Sequence, residues 1–190
     1  DELARQTVSR TGVGNTVDLP TVGSNAFDEI IEEFFSDKKA KELVDQGRHA
    51  DLMVANNVLA HVPDINDFLK GFATLLKAEG VATFEFPHLL NLVHFNQFDT
   101  IYHEHYSYLS LTAVQIIFEA NGLSVFDVEE LSTHGGSLRI YAQRNDAEKQ
   151  PISTAVNELK NREEKAGIST LEYYQGFQNK AEKIKTDLLN

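Results

Sequence analysis

Between Asp51 and Phe86 the chain reads strand, helix, strand, and that alternation narrows the fold more than any other feature. Asp51-Leu52-Met53-Val54-Ala55-Asn56 is a short apolar run of the kind a buried strand carries. Ile65 to Ala78 sets Ile65, Phe68, Leu69, Phe72, Leu75 and Leu76 on a stripe of helical period, and Gly80 stops it. Val81 to Phe86 is the next strand, closed by Pro87. The same rhythm continues on both sides. Glu33-Phe34-Phe35-Ser36 ends a short strand, Lys38 to Gln46 is a polar amphipathic helix, and Leu111 to Ala120 is a helix ended by Gly122. Strands that alternate with helices build an α/β domain around a largely parallel sheet. The last two strands, Leu123 to Val128 and Ser137 to Gln143, are separated by only a turn and a bend, so the final one is expected to run antiparallel. Gln150 to Asn190 is strongly charged with a helical pattern and reads as a connector.

Composition excludes several classes of function. The formal net charge of −12 opposes nucleic-acid binding, because counterion release needs clustered Lys and Arg. The chain has no cysteine, which removes disulfides, thiolate nucleophiles and cysteine-ligated zinc from these 190 residues. No apolar run approaches the roughly 18 residues of a membrane span, and the first residues lack the pattern of a signal peptide. The expected setting is therefore cytoplasmic, with no membrane partner. The chain opens at Asp1 within a helical pattern, Asp1 to Gln6, and closes at Asn190 within another, so it reads as a fragment whose sheet is incomplete at the N-terminus.

In open α/β sheets, ligands bind beyond the carboxyl ends of the strands. Three polar clusters fall there: Asn56-Asn57 with His61, Glu85 with His88, and Tyr102-His103-Glu104-His105-Tyr106-Ser107-Tyr108. The connection from Pro87 to Tyr108 is about 20 residues, longer than structureless loops usually run, and such connections are mostly lids or binding loops. Its last seven residues hold three phenols and two imidazoles. Imidazole titrates near neutral pH, and a neighbouring carboxylate can orient it and raise its basicity. Two chemistries remain open. If Tyr102 to Tyr108 were a regular strand, His103 and His105 would share a face and could bind a metal with His88, His94 or Glu85. If the segment is bent, Tyr102, Glu104 and His105 converge for proton transfer. Plainer readings stand beside these: His61 as a cap for a helix starting near Asp64, Gly135-Gly136 as a turn, Phe34 and Phe35 as core, Arg139 as a surface charge. A catalytically silent interaction domain is the third class, with Tyr173, Tyr174, Phe177 and Leu188 at helical intervals.

Three motifs in order carry a resemblance: Asn56-Asn57-Val58-Leu59-Ala60-His61-Val62-Pro63-Asp64, then Asp99 to Tyr108, then Thr133-His134-Gly135-Gly136-Ser137-Leu138-Arg139. From about Phe34 to Tyr141 the chain resembles the S-adenosylmethionine-dependent sugar C-methyltransferases that act on nucleotide-linked ketosugars. The resemblance implies a Class I, Rossmann-like methyltransferase sheet over residues 1–148. It implies a helical extension over 149–190 leading to a second domain. Zinc is expected only in a cysteine-ligated module ahead of this chain. The glycine-rich cofactor loop and the acidic ribose-binding residue of that family are not found here. The implied activity is methyl transfer to a carbon alpha to the ketone of a nucleotide-diphosphate deoxysugar, through an enolate. Carried over position by position, His105 is the general base, with Glu104 orienting it or favouring its protonated form. Tyr102 or His61 donates to the oxyanion. Asn57 and His61 face substrate, with Arg139 and Gly135-Gly136 near its phosphate. Asn56 lines the cofactor, and Phe34 and Phe35 flank its adenine. No metal is implied among these residues.

Overall fold

A computed structural model describes residues 11–13, 29–147 and 149–189. The helix expected over Asp1 to Gln6 lies outside them. The core is a four-stranded sheet of β3 (Ala50–Asn56), β4 (Leu76–Pro87), β6 (Ser137–Arg144) and β5 (Leu123–Leu131), in that spatial order. β3 and β4 are parallel, while β6 runs antiparallel to both β4 and β5, as the short connection between β5 and β6 requires. A separate parallel pair joins β1 (Thr11–Val13) to β2 (Glu29–Ile31), so the first strand pattern ends at Ile31 and not at Ser36.

Helices α1 (Asp37–Asp45), α2 (Ile65–Leu75) and α4 (Leu111–Ala120) cover one face of the sheet, and their ends follow from their caps. Ser36, Asp64 and Ser110 each accept a hydrogen bond from the backbone N–H three residues on, at 3.1, 3.0 and 3.1 Å. A ladder of rings ties the layers together: Phe68 to Phe72 at 5.0 Å, Phe72 to Phe84 at 4.7 Å, and Phe84 to Phe118 at 4.8 Å. Edge-on and tilted contacts of this kind add about 0.5–1.5 kcal/mol each to the burial itself.

The other sheet face explains a departure from expectation. β3 reads as a buried strand, yet Leu52 is 61% and Val54 58% exposed. Both share their face with Thr83 and Glu85 of β4, and at β3 that face is open to solvent. Met53 and Ala55 point into the core instead. α2 also stops earlier than its pattern, at Leu75. Leu76 turns into extended backbone, is fully buried, and pairs with Ala50. The 20-residue connection is not structureless either: it holds α3 (Leu89–His94) and a 3-10 turn at Phe98–Thr100.

The stretch read as a connector divides. α5 (Thr154–Ala166) sends Val156 and Leu159 into the main core, so it is packed and not free. α6 (Leu171–Tyr174) and α7 (Phe177–Leu189) have no buried residue. No helix among the described residues is long and apolar enough to cross a membrane.

Candidate active site

At the carboxyl end of β3 the chain reverses sharply. Asn57 takes a left-handed conformation (φ 55°), a place where Asn is better tolerated than most side chains, and its N–H donates to the Glu85 carbonyl at 2.7 Å. A 3-10 turn at Leu59–His61 follows. The Ala60 carbonyl in that turn accepts from Tyr106 N at 2.8 Å and Ser107 N at 3.3 Å, which docks the long connection onto the strand end. His61 adds a third tie through Nδ1–H to the Glu104 carbonyl at 3.1 Å.

The segment that carries the motif is bent. His105 N donates to the Tyr102 carbonyl at 3.1 Å, closing a turn, and residues 102–108 form no strand. Period-2 alternation therefore does not apply, and the premise that set His103 beside His105 fails. No group of three or more His, Cys, Asp or Glu that could hold a metal occurs among the described residues. The turn instead brings the Tyr102 ring to 4.2 Å from His105, centroid to centroid, with the His61 ring at 4.6 Å and Tyr108 at 5.7 Å.

The hydrogen bonds fix the tautomer. A main-chain carbonyl can only accept, so the 2.8 Å contact with Thr100 O puts the proton of neutral His105 on Nδ1. Nε2 then carries the lone pair. Its partner is the Tyr102 hydroxyl, 3.2 Å away, which must donate. The orientation expected of the Glu104 carboxylate is supplied by Thr100; Glu104 is exposed and contributes its main-chain carbonyl to His61. Thr100 was not legible as a partner, because it acts through a group every residue has.

The remaining residues divide. Asn56 is exposed at the end of β3, beside the turn at Asn57. Phe34 is 78% exposed and presents a free ring. Phe35 is partly buried and packs against the core, where its ring meets Phe68 and Phe72 edge-on at 5.8 and 5.4 Å. Arg139 lies between two carboxylates: its guanidinium donates to Glu85 at 3.0 Å and Glu129 at 3.3 Å, which engages two of its five N–H donors. Gly135 and Gly136 form a close-packed turn, not an open cradle. A Cβ on them would lie 2.5 Å from Gln97 Nε2 and 2.3 Å from Asn91 Nδ2, and both have positive φ. A groove of about 480 Å³, lined by Asp37, Lys41, Lys70, Asn121 and Arg144, lies at the opposite end of the sheet.

Comparison with known proteins agrees with this architecture. Residues 10–128 match the family described as "Methyltransferase domain", and residues 132–190 match "C-methyltransferase C-terminal domain". The C-methyltransferase NovU of Streptomyces niveus is 34% identical over 188 residues, 98% of this chain. The chain spans 44% of that relative's length. Among solved structures, LepI in complex with SAM superposes with a TM-score of 0.54 at 8% identity, covering 76% of this chain and 38% of that one. The PH0226 protein of Pyrococcus horikoshii OT3 gives 0.53 at 13%, covering 76% and 75%. These two show the shared fold. By the two consecutive family matches and the alignment over 98% of its own length, the chain belongs to the S-adenosylmethionine-dependent C-methyltransferase family.

Proposed function

We propose that the protein containing this chain methylates a carbon alpha to the ketone of a nucleotide-linked deoxysugar, with His105 as the general base. The observation that carries the reading is the His105 ring held by Thr100 with Nε2 as its basic nitrogen, in a half-exposed position at the strand ends. The ketosugar acceptor is supported by the three motifs that resemble the sugar C-methyltransferases.

A carbon beside a ketone is a weak acid. His105 Nε2 takes its proton, the C–H electron pair moves into the C–C bond, and the carbonyl π pair moves to oxygen. The Tyr102 hydroxyl that meets Nε2 then needs a new acceptor, and the enolate oxygen, two bonds from the reacting carbon, would serve as one. A donor placed where negative charge develops is worth far more than one placed for the ground state. Glu104 precedes His105 in the turn, and its carboxylate would favour the imidazolium that forms. His61, fixed through Nδ1, keeps Nε2 for substrate, and Asn57 is held beside it for the sugar. Asn56 is exposed at the end of β3 and Phe34 is exposed in the segment between β2 and α1, and these side chains would hold S-adenosylmethionine. When bound, it supplies an electrophilic methyl group.

Deuterium exchange tests the base without methyl transfer. A nucleoside-diphosphate ketodeoxysugar incubated in D₂O with the full-length protein and no cofactor should take deuterium at the acidic carbon. His105→Ala should slow this by about 10²–10⁴-fold, the usual worth of a positioned base. Exchange at the wild-type rate in that variant would remove His105 from the role.

A further inference from the structure

Glu163 has no exposed surface, on a helix whose other buried residues are Val156 and Leu159. A lone charge there would be costly. Four donors surround it instead. Oε1 accepts from Leu111 N at 2.7 Å and from a His88 ring nitrogen at 2.8 Å. Oε2 accepts from Thr112 N at 2.8 Å and the Thr112 hydroxyl at 2.6 Å. Burial pushes its pKa up, but the hydrogen bonds from His88, Thr112 and Leu111 outweigh burial and hold the group below the usual carboxylate value. It is a carboxylate, and His88 donates to it.

The donors have a common position in the chain. His88 immediately precedes α3, and Leu111 and Thr112 open α4. Between them runs the entire connection that carries Thr100, Tyr102 and His105. Its two ends meet at a neck, where Leu89 N donates to Leu109 O at 2.9 Å and His88 pairs with Leu109. Glu163 grips both sides of this neck from α5. The contact also joins the two family matches, since Glu163 lies in 132–190 and its donors in 10–128.

We propose that Glu163 is a positioning residue for His105: by tying both ends of the 89–110 connection to α5, it fixes where the Tyr102–His105 turn sits over the strand ends. This rests on the reading of His105 as the base. Displacing a catalytic group by about 1 Å can cost about 10²-fold in rate, so a loosened neck should register in chemistry before it registers in binding.

The test uses the full-length protein. Glu163→Gln keeps the volume but replaces an acceptor oxygen with an NH₂ facing a donor. Cofactor-free deuterium exchange into the ketodeoxysugar should fall at least about tenfold and turnover by a similar factor, with cofactor affinity within about twofold of wild type. Backbone amide exchange should quicken in residues 98–108 and stay unchanged in 50–56 and 138–144. On a His105→Ala background, Glu163→Gln should cost nothing further. Thr112→Val deletes only the hydroxyl contact and should give a smaller loss of the same pattern, which serves where Glu163→Gln does not fold. Wild-type rates in the folded variants, with His105→Ala inactive, would overturn this proposal alone. So would losses matched by equal weakening of cofactor binding and loosening across the sheet. If His105→Ala retains full exchange, the assignment of the base falls and this proposal falls with it.

Discussion

A single main-chain oxygen sets which ring nitrogen of His105, the base proposed above, carries the lone pair. Thr100 O accepts the hydrogen bond from Nδ1–H, so Nε2 carries the lone pair, and the Tyr102 hydroxyl is the group that meets it. Tyr102→Phe should therefore lower kcat by about 10²–10³-fold, the cost of removing one oxyanion donor, with little change in the KM for cofactor. Steady-state kinetics decide the matter; a rise in KM at constant kcat would make Tyr102 a binding residue only. His105 and Tyr102 were legible in the sequence because their side chains announce proton chemistry. Thr100 was not, since carbonyls carry no sequence signal. Glu163 was within reach: Val156, Leu159 and Glu163 fall at i, i+3 and i+7, so the acid stands on the buried stripe of α5. Arg139 is the reverse case, a charge whose partners on neighbouring strands, Glu85 and Glu129, are set only by register.

Helices and strands were largely readable, because an apolar stripe of helical period and a Ser or Asp cap state the same boundary twice. α4 ends as its Gly122 signal requires, and the antiparallel β6 follows from loop length. What failed was burial, since a strand's pattern does not say whether both faces are covered; Leu52 and Val54 are apolar and open. The approach of α1 to α2 was equally invisible, and Gly71 permits it. A Cβ there would lie 2.9 Å from Ser36 C and O and from Phe35 Cε1, and backbone at the Ser36 cap cannot swing aside. Gly71→Ala should cost about 1–3 kcal/mol, the usual cost of overpacking, although alanine favours a helix over glycine. Denaturant unfolding that gave an unchanged midpoint would show that α1 can move out of the way.

For the protein as a whole, acid is where these interactions should separate. Asp37, Glu42, Glu79 and Asp146 are held below their ordinary pKa chiefly by hydrogen bonds from Lys41, Lys39, Lys149 and Arg144. Those pairs lie at or near the surface, and salt weakens them. Glu163 is different: its donors are two amides, a hydroxyl and His88, all closed off from solvent or nearly so. A carboxylate whose folded pKa lies below its unfolded one leaves the unfolded chain with more bound protons between the two values. Its stabilisation is thus complete above the unfolded value and is lost as pH falls through the folded one. Unfolding midpoints measured downward from about pH 6 at about 0.5 M salt should fall for the wild type once pH drops below the ordinary carboxylate value, near 4. Glu163→Gln should begin lower and decline less steeply, because the amide has no proton to gain. Parallel curves for the two proteins would mean that other acids set the acid limit, and that Glu163 holds its place in α5 by shape more than by charge.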